Sequence, residues 1–379
     1  MEVVPAHLEY WMRAYYFDTE IDLGSSGVEN FSFGELRQLF NITPDDLDRI
    51  VLHDSRTLGD PDLRKAIGNR WANANAARVM ATNGGSEANY LVMHSLLKRG
   101  DEVVVLDPSY QQLFSIAETI GCKLKRWRLR FENGFRPDLS EARALIGPQT
   151  RMIVVNFPHN PTGASLTPAE MNELIELAAG AGAYLVWDAA FADLTYDDVV
   201  LPDPGERYDR AITMGTLSKG YGLPGLRVGW CLAAPDVLER LIRLRDYTTL
   251  HLSPLVEYVA TRAIENGDRL LKPRLAQARH NLQLLSQWVD SHSEFVSMVR
   301  PQGGVCVFMR LHNVADVEDF CRELAHEYSV LLVPGTSFGD ANHVRLGFGC
   351  ATAELTEGLS RLSAHFHAYR GAKQASAAV

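Results

Sequence analysis

A chain of 379 residues with a formal net charge of −10, 46% apolar and 22% charged, is long enough for two domains and ordinary in composition for a globular protein. The acidic balance argues against a nucleic-acid partner, whose phosphate backbone calls for a basic patch. No apolar run approaches a membrane span, the N-terminal MEVVPAHLEYWMRAYYF lacks a signal peptide's apolar core, and five scattered cysteines without metal-ligand spacing suit free thiols, so a cytoplasmic protein without a metal site is expected.

Residues 1–45 are aromatic-rich and broken by turns, with a loop over 23–28 and a helix cap at Thr43-Pro44-Asp45-Asp46. An arm of this kind packs on something else. A helix ending near Trp71 follows. From Val79 the pattern becomes strand, loop, helix, repeated. A strand over 79–82 leads through a glycine turn to a helix over 87–99 closed by Gly100. The continuous apolar run 102–106 has the texture of a buried parallel strand. The basic run 123–130 reads as one strand's solvent edge. Further strands are expected over 152–155, 184–187, 210–214 and 226–231. Thr167-Pro168-Ala169-Glu170 is a capping box opening a helix to about Ala181. This alternation predicts an α/β fold, a mostly parallel central sheet flanked by helices. After Pro254 the texture changes to a long helical region over 255–290, interrupted near Gly267. Short strands over 305–310, 331–333 and 344–348 and two amphipathic helices follow, giving a smaller α+β domain. The expected division is 1–45 for the arm and part of the small domain, 46–270 for the large domain and 271–379 for the small C-terminal domain.

Two glycine motifs are misleading. Gly220-Tyr221-Gly222-Leu223-Pro224-Gly225 matches the dinucleotide pattern, but Pro224 and a strand-like run follow it where a helix must open. Gly335-Thr336-Ser337-Phe338-Gly339 matches a hydrolase elbow and also leads to a strand.

In an open parallel sheet, ligands bind beyond the carboxyl ends of the strands. At those ends stand Gly84-Gly85-Ser86 at a helix N-terminus, where free N–H groups suit phosphate; Tyr110; the run Asn156-Phe157-Pro158-His159-Asn160-Pro161-Thr162-Gly163; Asp188; and Thr216, Ser218 and Lys219. The hydroxyls of Thr216 and Ser218, the Lys219 ammonium and the Arg227 guanidinium can converge on one phosphate-sized anion. A lysine beside such a cradle can also condense with an aldehyde, and the two together meet the requirements of pyridoxal phosphate (PLP).

The segment MGTLSKGYGLPGLRVGW, with HNPTG and the motifs around it, resembles the fold type I, aminotransferase-like PLP enzymes over roughly residues 58–349. The resemblance implies that Gly85 and Ser86 donate backbone N–H groups to the phosphate, with Thr216, Ser218 and Arg227 completing its cradle. Tyr110 would stack on the pyridine ring, Asn160 would donate to its phenolate oxygen, and Asp188 would pair with its ring nitrogen. Lys219 would be the catalytic lysine. Arg345 would fork onto the substrate α-carboxylate, with Gly27, Glu29 and Asn160 also at the substrate. A homodimer with shared active sites is implied as well, built through the arm and residues 248–257. Two positions depart from the family pattern, Phe191 and Asp54, where many members carry tyrosines. The wording SSGVENFSFGELR, NFPHNPTGA, WDAAF and HLSPLVE is closer to one group, the capreomycidine synthases, which dehydrate and cyclise 3-hydroxyarginine in antibiotic biosynthesis. Ring closure in such a reaction needs a base for the guanidinium, and Glu29 is the candidate. Transamination of an amino acid is the alternative activity. A PLP-sensing regulator would require an added DNA-binding segment, and a non-catalytic relative would be expected to lose Lys219 or Asp188.

Overall fold

A computed structural model describes residues 3–196 and 199–377, with side chains as far as residue 369. Strand β1 (Ile21–Asp22) follows the N-terminal helix His7–Tyr15. The next seven strands are β2 (Val79–Thr82), β3 (Glu102–Asp107), β4 (Lys123–Arg128), β5 (Thr150–Asn156), β6 (Tyr184–Asp188), β7 (Ala211–Thr216) and β8 (Gly229–Leu232). They form one sheet in the order β2-β8-β7-β6-β5-β3-β4. Pairing is parallel from β7 through β6, β5 and β3 to β4. Only the contacts of β8 with β2 and β7 are antiparallel. Two reversals around β8 return β2 to the common direction, so its carboxyl end opens on the same side as the others.

The apolar strands are covered on both faces, and their period of two divides each between two cores. Val104, Leu106, Ile153, Val155, Leu185 and Trp187 face one core. Their neighbours Val103, Val105, Met152, Val154, Tyr184 and Val186 face the other, against Leu91, Val92 and Met93 of helix Gly85–Leu96. The basic strand β4 lies at the sheet edge, as its sequence suggests.

Two boundaries differ from expectation. The helix expected over 87–99 runs from Gly85 to Leu96, and Gly100, at φ +89°, sits in the turn toward β3 instead of capping the helix. The early start matters most, because it puts Gly85 and Ser86 in the first turn, where N–H groups are free. The strand expected over 226–231 is β8, Gly229–Leu232; Pro224–Leu226 form a 3₁₀ turn and Arg227 adopts a left-handed φ of +54°.

Beyond β8, helices Pro254–Glu265 and Gly267–Ser291 lead to β9 (Val296–Ser297), β10 (Cys306–Leu311), β11 (Val330–Leu331), β12 (Val333–Pro334) and β13 (His343–Gly347). The order β12-β13-β10-β9 makes a second, antiparallel sheet, and β1 pairs with β11 in parallel. The expected boundary at 270/271 falls inside the continuous helix Gly267–Ser291. Among the described residues, no helix is long and apolar enough to cross a membrane.

Candidate active site

A cleft of about 980 Å³ opens at the carboxyl ends of the large sheet, between that sheet, the N-terminal helix and β13. Every residue that the sequence assigns to cofactor or substrate lines it: Gly27, Glu29, Gly85, Ser86, Tyr110, Asn160, Asp188, Thr216, Ser218, Lys219, Arg227 and Arg345.

One end is an anion cradle. Thr216 ends β7; its Oγ1 donates to Val228 O at 3.0 Å and accepts the Ser218 N–H at 3.1 Å. The Arg227 guanidinium lies across Gly84, where any Cβ would run into it. Gly84 is at φ +81°, which favours glycine for a second reason. A glycine here thus lets one cation approach the first turn of helix Gly85–Leu96, where the macrodipole is positive. Two hydroxyls, a helix N-terminus and a guanidinium together fit a phosphate.

At the centre, Lys219 Nζ donates to Ser26 Oγ at 3.2 Å. Burial, and then the positive charge of Arg345, hold its pKa below that of an ordinary lysine. Asp188, at the end of β6, accepts the Ala190 N–H at 2.9 Å, and burial pushes its carboxyl up to about 6. A carboxylate so placed gains from a cationic partner, as a protonated pyridine nitrogen would be. Asn160 is held by its own N–H, which donates to Asn156 Oδ1 at 2.8 Å, and its Oδ1 accepts Arg345 Nη1 at 3.1 Å. The amide NH₂ is left as a donor. This donor set fits the phosphate, ring nitrogen, phenolate and aldehyde of PLP.

Arg345, on β13, is 2% exposed and its Nη2 donates to Gly24 O at 2.6 Å. Its Nε is buried without a partner among the described residues. An uncompensated buried guanidinium N–H suits an incoming carboxylate.

Glu29 lines the cleft with its carboxylate already partnered: its Oε2 accepts from Arg274 Nη1 at 2.6 Å and from Gln277 Nε2 at 3.1 Å. Sequence reasoning missed Ser26, which meets Lys219; Asn156, which orients Asn160 and donates to Asp188 O at 2.9 Å; and Glu9. Glu9 Oε1 accepts the Tyr110 hydroxyl at 2.7 Å, and both residues line the cleft. Asn156 could have been found as the last residue of an apolar strand that ends two residues short of the HNPTG turn; Glu9 carries no such signal.

The aminotransferase class I and II family model matches residues 52–362. The chain belongs to this family. It is 45% identical over 360 residues to a capreomycidine synthase of Streptomyces vinaceus, covering 94% of this chain and 92% of that one. Among solved structures it is similar to the PLP-dependent cyclase OrfR, with a TM-score of 0.90 and 41% identity over 96% of this chain and 97% of that one. A PLP-dependent aminotransferase from Streptococcus suis superposes with a TM-score of 0.92 at 33% identity, over 97% and 98% of the two chains. The two departures from the aminotransferase pattern have distinct surroundings. Phe191 is buried on the cleft wall, 3.8 Å from where a Cβ on Gly304 would lie. Asp54 is exposed, 3.2 Å from His251 Nε2.

Proposed function

We propose that this chain is a PLP-dependent lyase-cyclase that removes water from 3-hydroxy-L-arginine and closes the product to capreomycidine in antibiotic biosynthesis. The observation that carries this reading over transamination is the similarity, along nearly the whole chain, to a capreomycidine synthase. The cleft supports it with a place for each part of cofactor and substrate.

In this reading Gly85, Ser86, Thr216, Ser218 and Arg227 hold the cofactor phosphate, Tyr110 covers the ring, Asn160 donates to the phenolate and Asp188 keeps the ring nitrogen protonated. Bound there, PLP supplies an electron sink for negative charge developing at Cα. Arg345 holds the substrate carboxylate in its fork and so fixes which Cα bond faces Lys219. The lowered pKa of Lys219 leaves a share of free amine to take the Cα proton. Departure of the β-hydroxyl then leaves a carbon that a guanidine nitrogen can attack, and Lys219 returns a proton to Cα. The ligand is a small amino acid, with no nucleic-acid partner. The free cysteines support a cytoplasmic setting.

The same reading makes the enzyme a homodimer. Phe17 in the N-terminal arm is 85% exposed and Tyr247, next to residues 248–257, is 89% exposed, apolar surface that supports this reading. The deciding experiment incubates the PLP-loaded protein with 3-hydroxy-L-arginine and follows products by mass. The expected product is lighter than substrate by one water and forms without a keto-acid acceptor. A keto acid appearing only when an acceptor is supplied would assign the chain to transamination instead.

A further inference from the structure

The cyclase reading leaves one chemical requirement unassigned. A guanidinium has a pKa of roughly 12.5–13.8, so at neutral pH its nitrogen lacks a free lone pair and must lose a proton as it attacks. A base in the cleft is needed, and five acids line it: Glu9, Asp22, Glu29, Asp188 and Glu354. Four are otherwise engaged. Asp188 faces the place of the ring nitrogen. Asp22 Oδ1 accepts the N–H groups of Gly24 and Ser25, both at 2.9 Å, and the Asp22 N–H donates to Glu354 Oε1 at 3.1 Å. Glu29 is paired with Arg274.

Glu9 differs. It stands on helix His7–Tyr15, which brings Leu8, Glu9, Met12 and Tyr16 to the cleft wall. Its Oε1 takes the Tyr110 hydroxyl, which fixes the carboxylate beside the ring-covering residue, and no basic side chain among the described residues is ion-paired with it. It lines the same cleft as Lys219, Tyr110 and Arg345, the three groups that border the reacting carbons.

Resting on the cyclase reading, we propose that Glu9 pairs with the substrate's guanidinium and accepts its proton during ring closure. The Cα–H bond breaks with its proton passing to Lys219, and the Cβ–O bond breaks with the hydroxide taking a proton from solvent to leave as water. A guanidinium nitrogen forms the N–Cβ bond and passes its proton to Glu9, which releases it to solvent, while Lys219 returns its proton to Cα. The sum is loss of one water from the substrate, with no change of oxidation state overall and no co-reactant. The unpaired carboxylate also selects a cationic side chain over a neutral one of the same shape.

The test uses PLP-loaded wild type, Glu9→Gln and Glu29→Gln, with two readouts. The first is calorimetric binding of L-arginine and of L-citrulline, its neutral near-isostere. The second is the product mixture from 3-hydroxy-L-arginine. Glu9→Gln, which keeps an acceptor for Tyr110, should lose about tenfold in arginine affinity while citrulline binding stays nearly constant. It should also divert the dehydrated substrate from the cyclic product to a keto acid and ammonia; the same diversion in Glu29→Gln with wild-type products from Glu9→Gln would assign the base to Glu29 and overturn the proposal. Wild-type behaviour of Glu9→Gln in both readouts would overturn the proposal while leaving the cyclase reading intact. A wild-type enzyme that binds arginine but never forms the cyclic product would overturn that reading and this proposal with it.

Discussion

Asp188 is held at the end of β6 in a place that burial makes unfavourable for a charge, with its carboxyl at about 6 against 3.8 in a model compound. The sign of the linkage follows. Below about pH 3 the group is neutral in folded and unfolded chains alike and has no effect. As pH rises from 4 through 6, the unfolded chain ionises more readily, and the cofactor-free protein loses stability. Asp188→Asn, whose amide oxygen can still accept the Ala190 N–H, should raise the melting temperature of cofactor-free protein by about 2 °C at pH 7.5. The gain should shrink as pH falls through 6 toward 4 and vanish below about pH 3. The same variant should bind PLP more weakly, because the ring nitrogen loses its anion. An unchanged melting temperature at pH 7.5 would mean that the carboxylate is already solvated or paired there. Lys219→Ala should remove the absorbance of covalently held cofactor and lower turnover by at least about 10²–10⁴-fold, the range for a proton-transfer group.

At the level of elements, β7 brings Gly215 against the Trp230 indole, and any Cβ would overlap the ring, which itself stacks on Trp71 at 4.2 Å between centroids. Gly215→Ala should therefore destabilise the fold by about 1–3 kcal/mol, read from thermal unfolding, and disturb the neighbouring Thr216 cradle. Thr167→Ala removes a reciprocal cap from helix Pro168–Ala181 and should cost about 1 kcal/mol with no effect on PLP binding. The parallel strands were legible in the sequence because each is a short apolar run between turns. Lys219, Asp188 and Asn160 were legible because strand ends and ordered motifs marked them. Glu9 was not, since its contact with Tyr110 joins positions 101 residues apart. Nor was the pairing of Glu29 with Arg274, 245 residues away, because separation in sequence hides which charges meet. Gly100 misled for a local reason: the helix stopped at Leu96, and the glycine's positive φ served the next turn.

For the molecule as a whole, the proposed dimer makes a direct claim about its surface. Tyr247→Asp places a charge on an apolar residue that is 89% exposed in the single chain. Sedimentation velocity should show a dimer for wild type and a shift toward monomer for the variant, with activity falling in step. A fully active monomer at nanomolar concentration would defeat shared active sites. The segment before helix Phe33–Phe40 has a different role. Val28 N–H donates to Lys219 O at 3.1 Å, Phe31 N–H to Gly222 O at 3.0 Å, and Glu29 N–H to Gly349 O at 2.8 Å. Neighbouring amides are thus buttoned alternately to the lysine turn and to the loop after β13. Deuterium uptake at these three amides should rise together under any condition that parts the two sheets. The stretch that lines the cleft is thus also the seam by which the molecule's opening can be timed.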